Sequence, residues 1–217
     1  MEGVDLSYLT ENWREVWSLT IDHIVLSLLA LAIALPIALV LGVIAARVDW
    51  LTAPVLTFVG FLYTIPSLAF LAFLIPSQGL GQRPAIIVLV TYSQVFLVRN
   101  ITAGLRGVDP TILEAASGVG MTRWQQLRKV WFPLALPVII AGIRTALLTI
   151  ISIAAVAAWI NAGGLGDLLF RGIGRSYPAM ILAGVIAIVA LAIVTDLLLR
   201  FLERLTPLAR AQRATGR

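Results

Sequence analysis

Cysteine is absent from the 217 residues, which removes disulfides, thiol nucleophiles and iron–sulfur ligation together. Histidine is nearly so. His23 is the only one, and a single imidazole beside Asp22 offers too few ligands for a zinc site, so an interfacial place at the edge of an apolar stretch is expected for it. Lysine occurs once, as Lys129 directly after Arg128. Holding ATP phosphates takes a Gly-Lys-Ser or Gly-Lys-Thr loop, so no ATPase resides in this chain. Charge is scarce as well, at 12% of residues, far below what a soluble domain of this length needs to cover its surface.

Apolar side chains are plentiful: 60% of the chain, with a mean hydropathy of +0.98. Such a composition belongs in a bilayer, where lipid does the covering. The net charge of +5 and pI near 10.4 do not point to nucleic acid, because the excess Arg flanks apolar stretches as the positive-inside rule requires. Glu2, Asp5, Glu11 and Glu15 stand where a cleaved leader carries positive charge, so Met1 is expected to be retained.

Five stretches reach the roughly 20 apolar residues that a spanning helix needs: about 21–46, 52–76, 84–105, 134–160 and 178–202. The expected fold is therefore all-α, a polytopic membrane protein whose ends lie on opposite sides. Eleven cations fall on one side, Arg47, Arg106, Arg123, Arg128 and Lys129 among them, and Arg14, Arg83, Arg171 and Arg175 on the other. The richer side is cytoplasmic, which leaves the N-terminus outside. Three parts follow: an outer-surface segment 1–20, a transmembrane domain 21–204 and a basic cytoplasmic tail 205–217, where binding to anionic lipid is a candidate means of sensing ionic strength. Within 6–17, Leu6, Leu9, Trp13, Val16 and Trp17 near helical spacing suit either a short helix on the membrane surface or a lead-in to the first span.

Prolines 36, 54, 66, 84, 137 and 178 lie in or beside spans. Pro66, flanked by Tyr63 and Ser67, marks a mid-span kink or a pathway contact, with a kink favoured. The tripeptides Gly79-Leu80-Gly81 and Gly164-Leu165-Gly166 fall on the same outer face. They are candidate gate loops, or tight turns that need positive φ. Arg144 is the deepest intramembrane charge and requires a partner or a wet cavity, whereas Asp196 and Arg200 suit an intrahelical pair. Arg99 and Asn100 end the third span and are expected to snorkel.

The segment 107–133 is longer than a connector requires. Asp109 is an N-cap with Pro110 at N1, Gly118 and Gly120 break the helix, and Thr122 with Gln125 forms a capping box for a second helix. Trp124, Leu127 and Trp131 share a side there. A rigid helix-turn-helix of small residues, with Glu114 beside Ala115 and Ala116, suits docking into a partner's groove.

Glu114-Ala115-Ala116, Gly120 and Val130-Trp131-Phe132-Pro133 resemble the "EAA…G…I-x-L-P" loop of ABC-importer permeases, with Val and Phe in place of the commoner Ile and Leu. Tyr63-Thr-Ile-Pro-Ser-Leu, Gly104-Leu-Arg-Gly-Val-Asp-Pro, Ala141-Gly-Ile-Arg-Thr-Ala and Gly163-Gly-Leu-Gly-Asp-Leu-Leu-Phe-Arg resemble the osmoprotectant branch, which carries glycine betaine, carnitine and choline. Similarity extends from His23 to Arg204. The resemblance implies a type I importer permease in a bacterial inner membrane. Its coupling helix, with Glu114, Ala115, Ala116, Gly120, Thr122 and Pro133, would seat on an ATPase dimer that binds ATP and Mg. It also implies a second permease subunit and an extracytoplasmic binding protein, with no cofactor or metal on this chain. For a quaternary ammonium cargo, Tyr63, Pro66, Ser67, Tyr92, Phe96, Arg144 and Trp159 are candidate pathway residues, the aromatic ones through cation–π contact. Ser93-Gln94-Val95-Phe96 departs from the branch, which more often has an apolar stretch there. The Gly-Gly-Leu-Gly-Asp loop is shared with methionine importers, leaving an amino-acid cargo as an alternative. A stand-alone secondary transporter or channel would want acid relays or inverted halves, and neither is evident.

Overall fold

A computed structural model of the protein describes residues 6–204. Helices account for nearly all of the described chain: α1 (Ser7–Glu11), α2 (Trp13–Arg47), α3 (Asp49–Thr64), α4 (Ser67–Gln78), α5 (Gln82–Arg106), α6 (Pro110–Gly118), α7 (Arg123–Gln126), α8 (Phe132–Ala157), α9 (Gly166–Gly174) and α10 (Pro178–Arg204). A π-turn over Leu127–Trp131 joins α7 to α8, and one 3₁₀ turn over Ala158–Ile160 follows α8.

Small residues decide which helices meet. Ala30, Ala34, Ala38, Gly42 and Ala45 form one fully buried stripe on α2, and α5 packs along it so closely that a Cβ on Gly42 would lie 2.6 Å from Ile101 Cγ2. The opposite side of α5 meets α8 in the same way, through Gly104 against Ala135 and Gly142 against Asn100. In lipid, where burial of apolar groups gives no preference for protein over solvent, such close backbone approach is what holds helices together. Thr102 donates to the Gly42 carbonyl (3.3 Å) and Gln94 to Ala34 (3.2 Å), adding hydrogen bonds across the α2–α5 seam. Hence α5 is the most enclosed long helix and α10 the least, with 67% and 11% of their most apolar stretches buried.

Among the described residues four helices are long and apolar enough to cross a membrane, and the second expected span differs from expectation. Residues 52–76 are not one helix: α3 and α4 meet at Ile65–Pro66 with a bend of 88°. The residue before a proline is pushed out of the helical region, and Ile65 duly adopts φ −66°, ψ 127°. The pair still traverses the bundle, since Asp49 at its start is paired with Arg106 at the end of α5 (2.6 Å), while Gly81, just beyond its end, donates to Ile160 past the end of α8 (2.7 Å). Counting the pair as one span gives five candidate crossings among the described residues, and the described chain begins and ends at opposite ends of the bundle.

In the N-terminal region residues 13–17 take the lead-in form, as a regular extension of the first span. Trp13 and Trp17 belong to α2, which begins at Trp13 and runs unbroken through position 21; the break lies at Asn12. The short α1 is anchored by Tyr8, buried against Leu165, Leu168, Ala179, Met180 and Ala183 of α9, α10 and the turn before α9. Tyr8 donates to Glu15 (2.7 Å) and meets the edge of Tyr177. Helix α9 was expected only as part of a loop. The tail 205–217 lies outside the described residues.

Candidate docking element and pathway residues

The hydrogen bonds of 109–131 make it a braced unit rather than a connector. Asp109 caps α6, its carboxylate accepting from both the amide and the hydroxyl of Thr111 (2.8 Å each), and these bonds hold its carboxyl below the usual carboxylate range. Helix α6 ends in a paired closure, Met121 N–H to Ala116 and Gly120 N–H to Ser117, with Gly120 at φ +79°, the left-handed turn that glycine permits. Thr122 and Gln125 close the capping box that their spacing predicts. Gln126 then clasps the two helices by donating to Ser117 Oγ (2.9 Å) and to the Met121 carbonyl (3.1 Å).

Bracing continues into the bundle. Trp131 donates to the Leu105 carbonyl (2.6 Å) and carries the Arg47 guanidinium over its ring, while Arg106 reaches both Asp49 and Thr52. Glu114, Ala115 and Thr122 face outward, Ala116 is buried and Pro133 half-buried. The exposed patch also includes Ile112 and Val119, the latter 75% exposed, an apolar surface for which the described residues provide no cover. Trp124, Leu127 and Phe132 line an apolar cleft of about 300 Å³ with Leu39, Val43, Ile101 and Leu105; Trp131 does not join them, because the π-turn rotates it onto α5.

Of the expected pathway residues, five gather at the break: Pro66 and Ser67 in the chain itself, and the rings of Tyr63, Tyr92 and Phe96 around it. Tyr63 meets Tyr92 and Phe96 edge to face, at 5.5 and 5.3 Å between ring centroids. Tyr92 donates its hydroxyl to the Ile65 carbonyl freed by the break. Phe70 joins the cluster from α4, a member that sequence reasoning passed over although it stands one helical turn beyond Pro66. Ser67 begins α4 beside them and is half-buried, whereas Tyr63 is 41% exposed. Trp159 stands apart at the end of α8. Arg144 is held by α10 instead, 3.7 Å from Asp196 and 3.3 Å from Glu203, with Arg200 on Asp196 at 2.6 Å. The expected Asp196–Arg200 pair is therefore part of a larger network. Arg99 is exposed near Gly60, but Asn100 turns back to the Phe96 carbonyl rather than snorkelling.

Both Gly-Leu-Gly turns occupy one end of the bundle. Gly79, Gly81 and Gly164 have positive φ, while Gly166 serves close approach, a Cβ there falling 2.1 Å from the Ala155 carbonyl. His23 is the residue most at odds with its expected interfacial place. It is fully buried, Nε2 3.0 Å from the Ile151 carbonyl and Nδ1 accepting from Leu165 N–H at 3.2 Å. That pattern fixes the neutral tautomer with Nε2 as donor, and it ties the second glycine turn to α2 and α8. No cluster able to hold a metal ion occurs among the described residues.

Comparison with known proteins agrees with this architecture. Over 92% of both chains, the sequence is 40% identical to the glycine betaine/carnitine/choline transport system permease protein OpuCB of Bacillus subtilis. It is 44% identical to the osmoprotectant import permease protein OsmW of Salmonella typhimurium, over 91% of this chain and 94% of that one. Among solved structures, the methionine ABC transporter MetNI in an inward-facing conformation superposes with a TM-score of 0.77 at 22% identity, covering 92% of this chain and 98% of that one. A bacterial alginate ABC transporter gives 0.70 at 16%, covering 93% and 86%. The pattern described as "Binding-protein-dependent transport system inner membrane component" matches residues 38–206, and with the bent second span, the braced α6–α7 unit and the type I importer architecture it assigns the chain to that family, the permease subunits of ABC importers.

Proposed function

We propose that this chain forms half of the translocation path of an importer for quaternary ammonium osmoprotectants, and that α6 transmits the stroke of a separate ATPase dimer. The observation that carries the coupling role is the exposed, doubly capped α6–α7 unit, clasped by Gln126 and fastened through Trp131 to α5. A force applied at Glu114 reaches the bundle without being absorbed in a slack loop. ATP and Mg belong to the partner ATPase, and no catalytic step falls to this chain.

By the positive-inside count the α6–α7 end lies in the cytoplasm, with α1, α9 and both glycine turns outside, where a substrate-binding protein docks. The domain division follows: an outer segment, a transmembrane domain that includes the coupling loop 107–133, and a cytoplasmic tail. A second permease subunit, identical or homologous, completes the path. Tyr63, Tyr92, Phe96 and Phe70 at the broken span offer π faces to a methylated ammonium, which has no N–H to donate and is recognised through cation–π contact. The names of the relatives support the same cargo.

The test is uptake by the assembled importer in proteoliposomes. ATP-dependent accumulation of labelled glycine betaine, choline or carnitine is expected. Accumulation of methionine with none of these three would overturn the cargo, and accumulation without ATP would overturn the importer mechanism.

A further inference from the structure

A pocket of about 280 Å³ opens at the α9 end between the turn after α8 and the first turns of α9, lined by Trp159, Asn161, Asp167, Phe170 and Arg171. Its charges are unequally engaged. Arg171 is paired with Glu15 (2.8 Å) and donates to the backbone of its own helix. Among the described residues, none hydrogen-bonds or ion-pairs with the Asp167 carboxylate, although it is half-buried. Burial lifts that carboxyl above its ordinary range, Arg171 pulls it back and Asp22 pushes it up again. The unmet charge in the pocket is thus negative, and it is flanked by Trp159 and Phe170, the former 49% exposed. Asn161 holds the turn at φ +63°, a left-handed conformation that non-glycine residues adopt rarely, Asn more readily than most. The turn is pinned by Gly81 N–H on Ile160, so the site is built rather than left to a loose loop.

We propose that this pocket is a receiving site for the quaternary ammonium head of a dissolved solute. Trp159 and Phe170 supply π faces and Asp167 supplies the counter-charge, at the mouth through which cargo leaves the binding protein. This rests on the osmoprotectant reading above. An ordinary amine would compete for hydrogen bonds with water and with Asn161. A methylated ammonium is satisfied by rings and a nearby carboxylate alone.

The test uses the permease–ATPase complex in nanodiscs of phosphatidylethanolamine and phosphatidylglycerol, without binding protein, probed with choline by saturation-transfer NMR at the N-methyl protons. Transfer is expected for wild type and for Trp159→Phe. Asp167→Asn and Trp159→Ala are expected to weaken binding about fivefold or more. The uncharged isostere 3,3-dimethylbutanol should give no transfer. Equal binding by Asp167→Asn, or equal transfer to the isostere, would overturn the site. Each variant's ATPase activity in the intact complex reports its assembly, and comparing Asp167→Asn with Trp159→Ala keeps the result readable if one fails to assemble. Adding phosphatidylcholine to the discs distinguishes the ligand's source: unchanged transfer is expected, and its loss would assign the pocket to a lipid headgroup and overturn the proposal. If the wild-type importer accumulates betaine but shows no transfer, the site fails while the function stands. If it accumulates no quaternary ammonium at all, the function fails first.

Discussion

At the scale of residues, glycine shows most directly how sequence becomes packing. A Cβ on Gly166 would sit 2.1 Å from the Ala155 carbonyl, a contact that no side-chain rotation relieves. Gly166→Ala should therefore push α9 off α8 and destabilise the protein by about 1–3 kcal/mol, read as a lower melting temperature of the purified complex. Gly118→Ala meets nothing within 4 Å and should leave that temperature unchanged or raised; equal losses from both would mean that α9 is not packed as described. Tyr92 gives a second case. Its hydroxyl serves the carbonyl that Pro66 frees, so Tyr92→Phe leaves a part-buried acceptor without that partner at a cost of about 1 kcal/mol, measurable in the same melt. Asp109 gives a pH prediction. Its folded-state carboxyl is held below the ordinary range by Thr111, so its capping contribution is complete above that range and is lost as pH falls through the depressed value. The protection of α6 amides against hydrogen exchange, corrected for the intrinsic pH dependence of exchange, should fall at acidic pH, and should not do so in Asp109→Asn, because asparagine caps without titrating.

At the scale of elements, the apolar runs announced the long helices, because some 20 consecutive apolar residues have few other uses. The caps at Asp109 and Thr122 were equally legible, since capping is a local matter of side chain and backbone. The 88° break was only half legible. Pro66 marks where a kink is permitted, but the hydrogen bond that meets the freed Ile65 carbonyl comes from Tyr92 on another helix, which no local pattern announces. Helix α9 was missed because its Asp167, Arg171 and three glycines read as loop, although Leu165, Leu168, Leu169 and Gly172 recur at helical spacing. His23 was misplaced for a similar reason: its partners, Ile151 and Leu165, stand more than 120 residues away in sequence. The break itself can be tested. Spin labels at the exposed positions Phe58 and Phe73 should report a longer separation when Pro66→Leu and Tyr92→Phe are combined, as Ile65 returns to the helix. An unchanged distance would mean that packing against α5 sets the bend without either residue.

At the scale of the whole molecule, the bundle connects two specialised ends. One carries α6 and α7 on a frame made by Arg47, Asp49, Arg106 and Trp131. The other carries both glycine turns, His23 and the Trp159–Asp167 pocket. Helix α5, packed on α2 and α8 through small residues, links the ends, and the aromatic cluster sits beside it at the broken span. On the coupling role proposed for α6, this packing gives its movement a rigid route to the broken span, which is what alternating access driven by a separate ATPase demands. The absence of cysteine makes the decisive measurement clean: Glu114→Cys is then the only thiol in this chain. With the intact importer in its membrane, a short thiol crosslinker should join position 114 to the ATPase subunit, with a yield that changes between ATP-bound and nucleotide-free states, while a cysteine at exposed Phe73 on the broken span should give no such product. If position 114 gives none either, in a complex shown by its ATPase activity to be assembled, α6 is not the coupling element and the transmission of the ATPase stroke through it is contradicted.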